Sequence, residues 1–425
     1  MYMKLHTLPF LPADILLPKN CSMPVWSVVA CDQYTSQPEY WKRVEQRIGT
    51  EPSTLGMILP ESRLKDPDVE TQIAQINNTM TQNLQQGIFR EYPNSMIYVE
   101  RSISNGKIRR GLIGKVDLAR YDYTPNSSSM IRATEGTILE RIPPRVMVRK
   151  NAPIEFPHIL LLMDDIERTV VEPLTALTGE MELLYDFELM EGGGHIKGWM
   201  LTEEHKAQVA QSLEKLADHQ TVQGKEQQSM MLFAVGDGNH SLATAKECYE
   251  QQKQSTRPEE WSDLLSRYAL VELGNLHDES LEFEPIHRLI TGVAPEQLLK
   301  DMCEVLPSAY MGEGAGHVFR YAYGERQGAV TVENPECLLP VATLQNFLDG
   351  WLKEHKQAEV DYIHGAQTAV ELAKNPQSIT FLLPPMEKIN LFPTIVRDGA
   401  LPRKTFSMGE AQDKRFYLEG RRIRP

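Results

Sequence analysis

An α+β fold of mixed sheets, several hairpins and flanking helices is what this 425-residue sequence predicts. Three observations carry the prediction. Apolar residues recur with a helical period in some stretches and as short β-prone runs in others. Two pairs of strand-like runs are joined by glycine-bearing turns, the signature of hairpins. Strand and helix alternate irregularly, without the steady βαβ rhythm of a doubly wound parallel sheet.

Between residues 68 and 88, Ile73, Ile76, Met80, Leu84 and Ile88 recur at three- and four-residue steps, so this stretch is expected to bury one helix face. Residues 96–103 and 108–118 flank Asn105-Gly106, a pair that favours a type I′ turn, whose central residues both need positive φ. Residues 158–163 form a short apolar run ending in Asp164 and Asp165, and residues 182–190 pair with 195–201 across Gly192, Gly193 and Gly194. Beyond Thr202, residues 203–219 read as a helix, 229–235 as an apolar strand, and the chain from Ser241 onward as a helix burying Leu242, Ala245, Cys248 and Tyr249. Further strands are expected at 267–273, 318–323, 329–332 and 379–383, and a helix over 341–352 carrying Leu344, Phe347, Leu348 and Trp351. Single cores stop growing near ~250–300 residues, so two lobes are expected. They are residues 1–200 and 201–425, the second carrying the Gly236-Asp237-Gly238-Asn239-His240 turn, with no Pro/Gly/Ser linker to sharpen the boundary and one integrated unit as the alternative.

With 44 basic and 58 acidic residues the formal charge is −14, and 41% of residues are hydrophobic and 24% charged, which excludes a disordered or fibrous chain. An acidic surface repels polyphosphate backbones, so nucleic acid is not the expected partner. Cys21, Cys31, Cys248, Cys303 and Cys337 are odd in number and lack a Cys-x-x-Cys pair, which fits a reducing compartment better than a disulfide framework or zinc ribbon. Pro9, Pro12 and Pro18, with Lys4, His6 and Asp14, leave no signal-peptide core, and no run approaches the ~20 apolar residues of a membrane span. A cytoplasmic, soluble protein is expected.

The most informative segment is 229–250, where an apolar strand runs into Gly236, Asp237, Gly238, Asn239 and His240 and then into a helix. Glycines permit positive φ and close backbone approach, and the first N–H groups of a helix have no intrahelical acceptor. With the helix dipole behind them, those groups favour an anion. Asn239, His240 and Ser241 add side-chain donors, and Asp237 can hold Mg²⁺ or accept a proton from a hydroxyl. The competing reading is a tight turn whose Asp and Ser only cap the helix.

Residues 236–243, with His240 at the helix start, resemble the Asp-Gly-x-His signature of the superfamily that contains the ParB N-terminal domain, sulfiredoxin and the archaeal free serine kinases. The resemblance implies a ParB/sulfiredoxin-like element around residues 229–250. Residues 132–149, 276–288 and 392–406 resemble an uncharacterised prokaryotic family, domain-of-unknown-function family ten-fifteen, over nearly the whole chain. In the superfamily this turn binds nucleotide phosphates, which implies that Gly238, Asn239 and His240 line a phosphate site. Members commonly carry Arg after the His, where this chain has Ser241, so another cation must clamp the phosphate.

Candidates for that cation fall in two segments. Arg132, Glu135, Arg141, Arg145 and Arg149 cluster around Pro143 and Pro144, which are expected to hold the segment extended. After Ile395, the residues Arg397, Arg403 and Lys404 fall on an expected loop with Gly399 and Pro402, a lid over an anion or a plain surface loop; the Walker A spacing is absent. Lys414, Arg415, Arg421, Arg422 and Arg424 read as a solvated basic end. Residues 276–288 supply His277, Asp278, Glu279, Glu282, Glu284, His287 and Arg288, for a metal or substrate or for a satisfied polar network, with Pro285 taken to end a strand. Asp32 at the exit of the apolar run 25–30 is a candidate contact for a substrate amine or hydroxyl, and Cys31 reads as a structural thiol ahead of a nucleophile.

The expected function is a nucleotide- or phosphate-binding enzyme, a small-molecule kinase or phosphohydrolase. Asp237 and His240 are its catalytic candidates. Gly236, Gly238, Asn239, Ser241, Arg132, Arg145, Arg403 and Lys404 are its phosphate ligands, and Asp32, Glu135, His287 and Arg288 its substrate contacts. Asp237 would carry Mg²⁺, ATP or ADP would be the nucleotide, and a homodimer is the candidate assembly. By resemblance to the free serine kinases the acceptor would be a small hydroxylated amino acid. A non-enzymatic, nucleotide-responsive scaffold of the ParB-like class remains the alternative.

Overall fold

Alternation along one strand divides the larger half of the protein into two cores: Ile97 and Val99 of the strand Ile97–Ser102 face one hydrophobic cluster, and Tyr98 faces the other. Leu270 and its neighbours Ala269 and Val271 divide in the same way, so the sheet carrying both strands is covered on each face. The computed structural model describes residues 8–136, 140, 142–223 and 230–425. Arg141 and Ser229 lie outside them.

In that sheet the order is Glu182–Glu188, His195–Met200, Ile97–Ser102, Ile108–Asp117, Tyr268–Asn275, Leu160–Met163, Phe233–Asp237, Ile131–Ala133 and Tyr121–Asp122, with Phe10–Leu11 added on Ile108–Asp117. The first five are antiparallel neighbours, whereas Leu160–Met163 runs parallel to Tyr268–Asn275 and Phe233–Asp237 parallel to Ile131–Ala133. This mixture is the expected α+β class. The helix Val69–Gln85 buries Ile73, Ile76 and Met80, and both expected hairpins form.

The chain divides into two compact units, Met1–Leu281 with Glu410–Pro425, and Glu282–Gly409. The boundary expected near residue 200 is therefore displaced, for a physical reason: Phe233–Asp237 hydrogen-bonds between Leu160–Met163 and Ile131–Ala133, so one sheet spans that position. The second unit is built on an antiparallel sheet in the order Ala309–Met311, Arg326–Val332, His317–Tyr323, Ser378–Leu382, Phe283–Thr291 and Glu359–His364, with Phe406–Met408 paired to the start of Phe283–Thr291. Among its helices, Pro340–Glu354 buries Leu344, Phe347, Leu348 and Trp351 as expected.

Local expectations fail at five points. The Asn105-Gly106 hairpin is closed by Gly106 N–H donating to Ile103 O at 2.9 Å, with positive φ (79°) at Gly106 and not at Asn105, so the turn is not type I′. Asn105 instead accepts the Lys107 N–H at 3.0 Å. Pro143 and Pro144 do not hold their segment extended: both sit in the first turn of the helix Ile142–Arg149, where a missing N–H costs nothing. Likewise Pro285 lies inside the strand Phe283–Thr291, and Arg397 ends the helix Leu391–Asp398. Finally, the basic end is only partly solvated, with Arg422 and Arg424 left accessible. Arg415 and Arg421 are buried and ion-paired, Arg415 with Glu272 and Glu419, and Arg421 with Glu155.

Candidate functional site

The strand Phe233–Asp237 ends beside Leu160, turns through Gly238 and enters the helix Asn239–Gln254. Gly238 is the N-cap, in the left-handed region (φ 81°, ψ 28°), and offers no side-chain cap to the first-turn amides. The first internal bond runs from Leu242 N–H to Gly238 O at 3.0 Å, which leaves the Asn239, His240 and Ser241 amides at the positive end of the helix dipole. Both glycines also answer to packing. A Cβ on Gly238 would lie 3.1 Å from Ile159 Cα, and one on Gly236 2.7 Å from Leu162 Cγ. Gly238→Ala is therefore expected to cost about 1–3 kcal/mol, read as a lower urea midpoint, because it adds a crowded Cβ to a left-handed backbone.

Asn239 spends its side chain on structure. Its Oδ1 accepts the Thr134 N–H at 3.2 Å and its Nδ2 donates to Thr134 Oγ1 at 3.0 Å, while that hydroxyl donates to Val235 O at 2.7 Å. This pins the chain after Ile131–Ala133 to the turn, bringing Arg132 and Glu135 to the neighbouring strand end. Arg132 is buried, donates from Nε to Ser129 O at 2.9 Å, and has its pKa lowered by desolvation.

Asp237 faces Lys414, whose Nζ lies 3.1 Å from Oδ2, and accepts the Gly238 N–H on Oδ1 at 2.9 Å. Burial acts to raise its pKa, but Lys414, His158 and the Gly238 amide together hold the carboxyl below the usual value. Behind it, His158 Nδ1 lies 2.8 Å from Tyr417 Oη and its Nε2 lies 3.7 Å from Asp32 Oδ2. Tyr417 Oη accepts the Cys31 N–H at 3.1 Å, so with a neutral imidazole its single proton goes to Nδ1 and the Nε2–H faces Asp32. Desolvation, reinforced by Asp32, pushes the Cys31 thiol up to about 12, which keeps it protonated and makes it a poor nucleophile. Arg145 approaches from the helix Ile142–Arg149, which packs against Ala243 through Ile142 and Val146, and pairs with Glu61. Glu61 in turn donates its N–H to Cys31 O at 2.8 Å.

The first unit thus brings Asp32, Thr134, Arg145, His158, Asp237, the Gly238–Ser241 backbone, Lys414 and Tyr417 into one linked neighbourhood. Lys414, His158 and Tyr417 were not among the candidates. Arg403, Lys404, His287 and Arg288 belong to the second unit. There Arg288 is fully buried and donates to Gln345 Oε1 at 2.8 Å and to the Ile286, Arg403 and Lys404 carbonyls at 2.6, 3.2 and 3.1 Å. His287 Nδ1 accepts the Leu383 N–H at 3.1 Å, and burial followed by Arg288 lowers its pKa. Of the paired acids, Asp164 meets His277 Nε2 at 2.6 Å, and Asp165 accepts the Thr169 and Val170 amides at 2.6 and 2.9 Å. Among the described residues no group of three or more His, Cys, Asp or Glu is placed to hold a metal ion, and no helix is long and apolar enough to cross a membrane.

An α+β protein with a strand-turn-helix anion candidate is the class that these features define. The model of a family described as "Protein of unknown function (DUF1015)" matches residues 12–382, and the chain belongs to that family. No curated protein matches it. Among solved structures, it is similar to a mutant free serine kinase in complex with AMP, at 11% identity over 73% of this chain and 90% of that one, with a TM-score of 0.39. A conserved hypothetical protein from Pyrococcus furiosus is similar at 12% identity, with 69% and 89% covered and a TM-score of 0.35. SbnI with a C-terminal truncation, from Staphylococcus aureus, is similar at 9% identity, with 70% and 82% covered and a TM-score of 0.35.

Proposed function

We propose that this protein binds a nucleotide or phosphorylated metabolite at the start of the helix Asn239–Gln254 and transfers a phosphoryl group to a small hydroxylated acceptor such as an amino acid. The observation that carries the reading is the ammonium of Lys414, 3.1 Å from Asp237 and beside first-turn amides that no N-cap side chain serves. Backbone donors, a dipole and a positioned cation together suit a phosphate. Phosphoryl transfer is mostly positioning and charge neutralisation, so few groups suffice. In this reading the amides and His240 bind the anion, Lys414 neutralises it, and Asp32 takes the acceptor's amine or hydroxyl. His158, held by Tyr417, keeps a proton directed at Asp32.

Asp237 is the carboxylate that would hold Mg²⁺. Magnesium commonly binds through one or two carboxylates plus substrate phosphates, so a single acid fits that pattern. When bound, the ion would neutralise phosphate charge. ATP or ADP is the nucleotide to test, on the strength of the motif resemblance.

The test is turnover. Purified protein is incubated with ATP or ADP and a panel of hydroxylated amino acids, and the products are resolved by ³¹P NMR. Asp237→Ala and His240→Ala should each abolish product formation while circular dichroism stays unchanged. Product formed equally by both variants would contradict the assigned roles. Nucleotide binding without turnover in the unaltered protein would favour the scaffold reading instead.

A further inference from the structure

Arg101, in the strand Ile97–Ser102, is 2% exposed, yet its hydrogen bonds go to backbone carbonyls and not to a carboxylate. Nε and Nη2 donate to Gly193 O at 3.0 and 2.8 Å, Nη2 also to Gln412 O at 2.6 Å, and Nη1 to Lys414 O at 2.7 Å. Arg109 from the adjacent strand donates Nη1–H to Asp413 O at 3.1 Å. Three consecutive carbonyls, 412 to 414, are therefore each held by a guanidinium. The Asp413 carboxylate adds a tie, accepting the Ser104 N–H at 2.8 Å, and the Arg101 guanidinium lies 5.0 Å from the centre of the Phe416 ring.

Stability alone gives little reason for this arrangement, since a buried guanidinium pays for its desolvation and well-packed apolar residues commonly do as well. Desolvation, with Arg109 adding like charge, lowers the pKa of Arg101 to about 9. What the clamp does supply is position. The backbone it fixes is the backbone from which the Lys414 side chain reaches Asp237. A fork with several rigidly spaced donors can hold non-adjacent carbonyls at once, which a lysine ammonium on a flexible stem cannot reproduce.

We propose that Arg101, assisted by Arg109, is a positioning residue that holds residues 412–414 so that Lys414 is presented at the start of the helix Asn239–Gln254. The consequence for ligand binding rests on the phosphate reading above; the presentation of Lys414 does not. Arg101 itself touches no ligand and acts through Lys414.

Two readouts separate the claims, both on the full chain with Arg101→Met and Arg101→Lys. The first is acetylation of Lys414 by a soluble activated ester, followed by peptide mass spectrometry, with the exposed Lys42 as an internal reference. Lys414 should react slowly in the unaltered protein and several-fold faster in both variants, with Lys42 unchanged. An unchanged Lys414 rate in folded variants would overturn the proposal. Should Arg101→Met fail to fold, Arg101→Lys, which keeps charge and stem, decides it. The second is calorimetric titration with ADP: each variant should bind about tenfold more weakly, the scale of one charge-assisted hydrogen bond, and add no further loss on top of Lys414→Ala. Additive losses would overturn the proposal, because Arg101 would then act independently of Lys414. Failure of the unaltered protein to bind ADP would refute the phosphate reading, and the acetylation rates would still decide the clamp.

Discussion

Replacing Lys414 by alanine is expected to weaken ADP binding by about 10- to 100-fold, since a hydrogen bond to a charged group is worth about 1.5–3 kcal/mol. The loss should lie toward the upper end. Removing the ammonium also strips Asp237 of its counterion, and an unpaired carboxylate beside the helix start repels the incoming anion. Salt supplies a second check, because screening should weaken the unaltered protein more than the variant. The pKa of Asp237 supplies a third. Its folded value lies below the ordinary one against the effect of burial, held there by Lys414 and His158, so without Lys414 it should move upward in a carboxyl ¹³C NMR titration. The linkage has a definite sign. A depressed carboxyl stabilises the fold above its unfolded pKa of about 3.9, and that stabilisation is lost as pH falls through the folded value. In Lys414→Ala the folded value lies closer to the unfolded one, so this contribution is smaller and its loss is complete at a higher pH. Unchanged affinity for ADP would remove Lys414 from the site.

The largest effect on stability is expected at Arg415. Its guanidinium pairs with Glu272 and lies 2.6 Å from Glu419, with all three residues at most 6% exposed. Tyr185 donates to the second Glu419 oxygen at 2.5 Å, and Arg109 Nε lies 3.5 Å from Glu272. Arg415→Ala leaves two buried carboxylates short of their shared cation, and breaking such a pair costs about 3–5 kcal/mol. Urea unfolding at neutral pH measures this directly. Burial acts to raise the pKa of Glu272, but Arg109 and Arg415 hold it below the ordinary value, so its contribution is present above the unfolded carboxylate pKa and fades as pH falls through the folded one. In the variant Glu272 protonates more readily, and the deficit should narrow toward pH 4. A change within about 0.5 kcal/mol, the range of ordinary surface substitutions, would show that the network is not structural.

Legibility in the sequence followed the range of the interactions. The helix Val69–Gln85 and the two hairpins of the first sheet were readable because their apolar spacing is local. So was the strand-turn-helix, although its glycines also serve the approach of Ile159 and Leu162. Pro143 and Pro144 misled because a proline breaks a helix interior but is tolerated in its first turn, and sequence alone does not show where that turn begins. Lys414 and Arg415 looked like a solvated end, since a run of charges carries no trace of carboxylates 143 to 177 residues away along the chain. His158 was hidden in an apolar run, and its partner Tyr417 lies 259 residues on. The lobe boundary failed for the same reason. Phe233–Asp237 chooses its neighbours by sheet register, and the chain returns to the first unit only after Gly409.

The central claim is that backbone amides at one helix start, with one imported ammonium, seat a phosphate. A crystal structure of the protein grown with ADP and Mg²⁺ tests it most directly. Phosphate oxygens within ~3 Å of the Asn239, His240 or Ser241 nitrogens and of Lys414 Nζ are the predicted result. ADP bound elsewhere, with Lys414 still on Asp237 and those amides engaged only by protein groups, would contradict it.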